Sequence, residues 1–322
     1  MEEAIRNFAT QFQWNPVIEN ADSLPQEYKN IVVSGMGGSH LATGLIKMWK
    51  PGINLYVHRD YDVPPFDDHF LKESLLIASS YSGNTEEVVS FLEEGVARGY
   101  KVAVIATGGV LIEKAKEFNL PFIQMPHTGI QPRNALGYAL LSLAHFLKDD
   151  ELITELVEIG GGKFEDCESD GKNLAENMHN KIPLIYSSLS NLSLAYNWKI
   201  KMNETAKIPA FYNVFPELNH NEMTGFDVVE GTHLLSKNMS FIFLKDRSDN
   251  ERIQKRMDIT ETLLEERGFE VIVRELSGKT TFEKIVTTLL TADWTALHLS
   301  RMYGTEAEKV PMVEELKKIM RK

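Results

Sequence analysis

The feature that most restricts the fold is an alternation. Short apolar runs bounded by turn residues recur along the chain, with segments of helical period between them. In the first half the runs are Asn30-Ile31-Val32-Val33-Ser34, Asn54-Leu55-Tyr56-Val57, Ser74-Leu75-Leu76-Ile77-Ala78, Val102-Ala103-Val104-Ile105 and Pro121-Phe122-Ile123. A strand covered by helices on both faces has no polar side to present, so continuous apolar runs of this length predict buried parallel strands. The intervening stretches Leu41–Trp49, Thr85–Arg98 and Val110–Phe118 predict helices, which together give the β-α-β order of a doubly wound α/β sheet.

The pattern breaks after Leu147, where Lys148-Asp149-Asp150-Glu151 and then Gly160-Gly161-Gly162 interrupt helical spacing. The expected division is therefore into residues 1–152 and 153–322. A second α/β series follows, with candidate strands at Pro183-Leu184-Ile185-Tyr186-Ser187, Ala210-Phe211-Tyr212-Asn213-Val214, Met239-Ser240-Phe241-Ile242-Phe243-Leu244 and Phe269-Glu270-Val271-Ile272-Val273. Two units of similar size suggest a duplicated architecture, each a parallel sheet flanked by helices, although no residue-level repeat of fixed period exists. The last segment, Val313-Glu314-Glu315-Leu316-Lys317-Lys318-Ile319-Met320, reads as an amphipathic helix.

Composition narrows the function. Across 322 residues, Lys and Arg total 34 against 46 Asp and Glu, and the formal charge of −12 disfavours nucleic acid and anionic lipid as partners. Cys167 is the single cysteine, so neither an internal disulfide nor a thiolate metal site is expected. The N-terminus opens acidic without an apolar signal core, and no run of about 18 uncharged apolar residues follows, so a soluble cytoplasmic protein without membrane association is expected.

Two loops carry chemical information. Ser34-Gly35-Met36-Gly37-Gly38-Ser39-His40 follows the first strand and opens a helix. Glycines there let the backbone approach an anion, and the helix N-terminus offers free N–H groups, although a ligand-free strand-to-helix turn would use the same residues. His40 stands where a dinucleotide fingerprint needs its third glycine, and Asp60 is a poor match to the acidic residue that fingerprint places about 20 residues on. The second loop, Ser79-Ser80-Tyr81-Ser82-Gly83-Asn84-Thr85-Glu86-Glu87, places three hydroxyls, of Ser80, Ser82 and Thr85, within six positions at another helix start. That set suits a phosphate monoester. Helix capping would account for Thr85 alone, with Glu86 and Glu87 complementing the dipole.

These loops resemble the sugar isomerase (SIS) domain. Gln131-Pro132-Arg133-Asn134-Ala135-Leu136-Gly137-Tyr138, Asn203-Glu204-Thr205-Ala206-Lys207 and Pro216-Glu217-Leu218-Asn219-His220-Asn221-Glu222 extend the resemblance to the bifunctional phosphoglucose/phosphomannose isomerase family, in family order from Gly35 to about Phe226. The match is looser beyond, through Leu244-Lys245-Asp246-Arg247, Asp293-Trp294 and the terminal helix.

The resemblance implies two SIS-type subdomains with a phosphosugar site between them and an aldose-ketose isomerase that needs no cofactor or metal. No His-x-x-x-His or cysteine pair suggests a metal either. It also implies roles: Gly38, Ser39, Ser80, Ser82 and Thr85 bind substrate, Glu204 is the base, His220 the acid that opens the sugar ring, and Arg133 the charge facing the enediolate. A carboxylate can shuttle a proton between neighbouring carbons through a cis-enediol, and histidine titrates near neutrality, so the residue types suit the roles. By the same resemblance His220 comes from the second subunit of a homodimer.

A terminal-helix lysine, Lys317 or Lys318, completes the implied set. The family carries a threonine linked to mannose phosphate seven residues before it, where this chain has Val310 or Pro311. Glucose 6-phosphate is therefore expected as a substrate ahead of mannose 6-phosphate. The alternative from another class is a phosphosugar-binding regulatory protein, in which the hydroxyl loop holds a ligand and no base follows. A second, an amino-sugar isomerase, would need an ammonia source that the sequence does not suggest.

Overall fold

The computed structural model describes residues 1–320, which form two compact units, Arg6–Gly162 and Met1–Ile5 with residues 163–320. The division falls at the end of the Gly160–Gly162 run.

The first unit contains β1 (Asn30–Ser34), β2 (Leu55–His58), β3 (Ser74–Ser80), β4 (Lys101–Ala106) and β5 (Phe122–Gln124), all parallel, in the order β2-β1-β3-β4-β5. All seven residues of β3 are buried, which is why that run alternates so little. Helices α1 (Gly38–Trp49), α2 (Glu86–Ala97), α3 (Gly109–Glu117), α4 (Leu136–Leu147) and α5 (Asp150–Ile159) surround the sheet. Val32, Leu76 and Val104 of the central strands pack with Val88, Phe91 and Leu92 of α2 and Leu111 of α3. Each side chain of this kind contributes about 1.5–3 kcal/mol when fully buried. The register pairs Ser34 with Ala78, so the carboxyl ends of β1 and β3 lie side by side. Between them the strand order reverses direction, and such a point leaves a crevice at the carboxyl edge of the sheet.

The second unit repeats the plan with β6 (Ile182–Ser188), β7 (Phe211–Phe215), β8 (Met239–Lys245) and β9 (Glu270–Glu275) in the order β7-β6-β8-β9, again all parallel. Its helices include α6 (Asp166–Met178), α7 (Leu192–Lys201), α8 (Glu251–Glu265), α9 (Thr281–Met302) and α10 (Pro311–Met320). Helix α9 is buried around most of its circumference and packs on α6 and α7. A Cβ on Gly171 of α6 would lie 2.4 Å from the Cβ of Trp294, so glycine is what allows the two helices to approach so closely. Helix α10 is exposed throughout its length, with Met312, Leu316 and Ile319 open to solvent. No helix among the described residues is long and apolar enough to cross a membrane.

Candidate active site

Both loops singled out in the sequence sit at the crevice of the first unit. After β1 the chain turns through Gly35 and Gly37, the latter at φ +52°, into α1. A side chain at Gly35 would meet the Ser79 carbonyl oxygen at 3.0 Å, so the glycine lets the turn lie directly on the end of β3. Ser39 joins the two loops: its hydroxyl accepts from the Tyr81 N–H at 2.9 Å, while the Ser79 hydroxyl donates to the Ser39 carbonyl at 3.2 Å.

Thr85 occupies the N-cap position of α2, but its side chain does not cap. Its hydroxyl lies 2.8 Å from that of buried Ser80, which also accepts from the Gly83 N–H at 3.2 Å. The capping explanation therefore fails even for the one hydroxyl it could cover. Ser82 is exposed on the rim, accepting from the Asn84 N–H at 3.3 Å. Hydroxyl hydrogens rotate freely, so the Ser80–Thr85 pair can turn from one another to an incoming anion beside two helix N-termini.

Arg133 is also buried here, on a 3₁₀ turn, Pro132–Asn134. Gly38 is what lets that turn close in: a Cβ at position 38 would stand 2.9 Å from the Arg133 backbone nitrogen. From the other side Gln11 holds the turn, donating to the Asn134 carbonyl at 2.6 Å and accepting from the Gly137 N–H at 3.0 Å. Gly38, Ser39, Ser80, Thr85 and Arg133 are thus gathered on adjoining segments of one unit, with Ser82 at the edge.

The other three candidates lie in the second unit, on separate elements. Helix α7 runs on into a π-helical turn, Met202–Ala206, which carries half-buried Glu204. Such turns widen a helix by one residue and recur at functional sites. Lys207, at φ +61°, ends the turn and donates through Nζ to the Glu204 carbonyl, while Asn203 donates to the Ile208 carbonyl at 3.0 Å. Three residues before Glu204, Lys201 forms an ion pair of 2.7 Å with Asp293 of α9, both side chains almost wholly buried. Removing one partner of such a pair costs about 3–5 kcal/mol, because the other charge is left without compensation. The turn bearing Glu204 is therefore anchored to the core helix.

His220 ends a 3₁₀ turn, Glu217–His220, and is exposed. Lys317 is exposed on α10 and pairs with Glu314 at 3.0 Å.

Three contributors escaped sequence reasoning. Asn84 ties the hydroxyl loop to the next helix, accepting from the Val110 N–H at 3.1 Å and donating to the Ser82 carbonyl at 3.0 Å. Gly83, at φ +70°, allows the Gly108 carbonyl to lie where its Cβ would stand, 1.7 Å away. Lys201 left only an indirect trace, an aspartate at position 293 in the buried middle of a helix, between Ala292 and Trp294.

Comparison with known proteins shows what the chain as a whole is similar to. Residues 167–320 match the bacterial phospho-glucose isomerase C-terminal SIS domain. A bifunctional phosphoglucose/phosphomannose isomerase of Aquifex aeolicus is 32% identical over 100% of this chain and 99% of its own length. One from Caldicellulosiruptor bescii is 33% identical over 91% of this chain and 89% of its own. Among solved structures, the C-terminal domain of glucosamine-fructose-6-phosphate aminotransferase from Francisella tularensis superposes with a TM-score of 0.68 at 16% identity, covering 96% of each chain. That likeness speaks to the fold, a pair of SIS-type parallel sheets. Identity above 30% over nine-tenths or more of the chain to proteins of one name establishes that the chain belongs to the bifunctional phosphoglucose/phosphomannose isomerase family.

Proposed function

We propose that this protein interconverts fructose 6-phosphate with glucose 6-phosphate, and with mannose 6-phosphate more slowly, because Val310 or Pro311 stands where the resemblance places a threonine. The observation that carries the reading is the convergence of Ser39, Ser80 and Thr85 at two helix N-termini, in a chain whose relatives of nearly equal length are named as such isomerases. Those names do not favour the regulatory alternative.

In this mechanism the phosphate is held by the two loops, with Gly38 allowing close approach and Ser82 closing the rim. His220 protonates the ring oxygen as its bond to C1 breaks, while the C1 hydroxyl gives up its proton to solvent and becomes the carbonyl of the open-chain sugar. The Glu204 carboxylate then takes the proton from C2. The C–H electron pair forms the C1–C2 double bond, and negative charge develops on the former carbonyl oxygen. Arg133 faces that charge, an interaction stronger in the transition state than in the ground state. The proton of the C2 hydroxyl passes to O1, and return of the proton from Glu204 to C1 as the C2 carbonyl forms gives the ketose; Lys317 contributes a further positive charge to the sugar. We further propose a cytoplasmic homodimer in which each His220 serves its partner's sugar. The exposure of His220 supports this.

Two measurements test the reading. Glu204→Gln keeps the side chain's size and removes its basicity, so kcat with fructose 6-phosphate should fall by about 10²–10⁴-fold with binding little changed. Near-full kcat would remove Glu204 from the role, and failure of the wild type to exchange the C2 proton of glucose 6-phosphate with solvent would remove the enediol. For the shared site, His220→Ala and Glu204→Gln chains, each of strongly reduced activity, are mixed and allowed to exchange. Activity should return, and proven heterodimers without it would refute the contribution across subunits.

A further inference from the structure

His220 sits on a loop where the side chains of Glu217, Asn219, Asn221 and Glu222 are all hydrogen-bonded. Among the described residues its imidazole makes no hydrogen bond, yet the residues on either side of it are tied to three different elements. Before it, Asn219 donates to Thr260 Oγ1 at 2.9 Å and accepts from Arg256 Nη1 at 3.3 Å, both on α8. After it, Asn221 donates to Glu217 at 2.7 Å and accepts from the Glu222 N–H at 2.6 Å. Glu222 then turns inward and spends both carboxylate oxygens on the sheet: Oε1 accepts from the Tyr186 hydroxyl of β6, and Oε2 accepts from the Asn213 amide of β7.

The donors are themselves fixed. Tyr186 is 1% exposed, with its ring against Phe215, Phe241 and Phe243 at centroid distances of 6.1, 5.4 and 5.8 Å. Burial, reinforced by the hydrogen bond to Glu222, pushes its phenol well above the ordinary range, so it stays a proton donor to Glu222 at neutral pH. Asn213 is oriented by accepting from the Val214 N–H at 2.8 Å. An acceptor with two oxygens meets two donors of fixed direction, which defines where the backbone at position 222 must lie. Every polar neighbour is thus restrained while the histidine between them is left open to solvent, which is what presenting a proton donor to a separate molecule requires.

We propose that Glu222, gripped by Tyr186 and Asn213, is a positioning residue that holds the His220 turn in the geometry for proton transfer. The inference rests on the reading of His220 as the ring-opening acid, and the test separates the two. Glutamine at 222 offers one acceptor in place of two and removes the charge that strengthens both bonds, so the grip of Tyr186 and Asn213 is weakened. The experiment is a double-mutant cycle on kcat and KM with fructose 6-phosphate, using Glu222→Gln, His220→Ala and the pair together. Glu222→Gln should lower kcat on the order of 10- to 100-fold through misplacement of about an ångström, with KM little changed. In the His220→Ala background it should lower kcat no further, because residues that act as one unit are not additive. An equal loss in both backgrounds, or an unchanged kcat for Glu222→Gln, overturns the proposal. If His220→Ala alone leaves kcat intact, the reading of His220 fails and the proposal falls with it, a distinct outcome. If circular dichroism shows that Glu222→Gln does not fold, Tyr186→Phe, which keeps the buried ring and removes one donor, takes its place in the cycle under the same criteria.

Discussion

Gly38→Ala offers a severe test of how the first unit presents Arg133. A methyl group at position 38 would lie 2.7 Å from the Pro132 carbonyl carbon, 2.8 Å from its oxygen and 2.9 Å from the Arg133 nitrogen. Ordinary carbon contacts begin near 3.4 Å, so the start of α1 and the Pro132–Asn134 turn must separate by about 0.5–0.7 Å. No rotamer change relieves this, since all three atoms are backbone. The turn cannot simply retreat, because Gln11 holds it through the Asn134 carbonyl. Overpacking of this kind typically costs about 1–3 kcal/mol. The displacement falls on Arg133 itself, and misplacing a charge-stabilising group by nearly an ångström costs on the order of 10²-fold in rate. The control is Gly37→Ala, where nothing lies within 4 Å and the penalty is strain at φ +52°, roughly 1–3 kcal/mol. Urea unfolding and steady-state kinetics with fructose 6-phosphate are measured on both. Gly38→Ala should lose stability and kcat together, while Gly37→Ala should lose comparable stability with a smaller change in kcat. Equal kcat losses, or an unperturbed Gly38→Ala, would refute the claim that this contact sets the place of Arg133.

Two further expectations follow from the same unit. Thr85→Val keeps the shape of the loop and deletes a hydroxyl that a bound phosphate would engage in ground and transition states alike; a charge-assisted bond of about 1.5–3 kcal/mol corresponds to a KM rise on the order of 10- to 100-fold with kcat nearly unchanged. A fall in kcat at constant KM would point to a different role. Burial, assisted by the Arg59 charge, lowers His40 to about 4, against a hydrogen bond to Gly37 that acts the other way. The folded state thus resists the proton that the unfolded chain accepts near pH 6.5, so this contribution is complete above pH 6.5 and is lost as pH falls toward 4, by up to about 3 kcal/mol. His40→Leu should flatten the dependence of the urea midpoint on pH across that window, and an unaltered slope would show that His40 is not the group responsible.

Much of the architecture was legible in the chain because burial on both faces leaves a mark in the linear sequence. The runs at Asn30–Ser34 and Ser74–Ala78 are apolar because helices cover both sides of the sheet, and β1 and β3 lie where those runs are. The hydroxyl loop was legible for a related reason: a strand end, three hydroxyls and a helix start are consecutive, and local chemistry is readable locally. Glu204, by contrast, is an ordinary glutamate in a polar stretch, singled out only by resemblance. What the tertiary structure decided was the set of contacts between residues far apart in sequence. Nothing near position 38 announces that Pro132 will lie against it, nothing near 201 that Asp293 will neutralise it, and nothing near 222 that Tyr186 and Asn213 will hold both of its oxygens. Sequence periodicity records which face of an element is buried. It does not record which buried partner arrives from elsewhere, since that depends on the strand order β2-β1-β3-β4-β5 and β7-β6-β8-β9, and strand order is settled only when the sheets assemble.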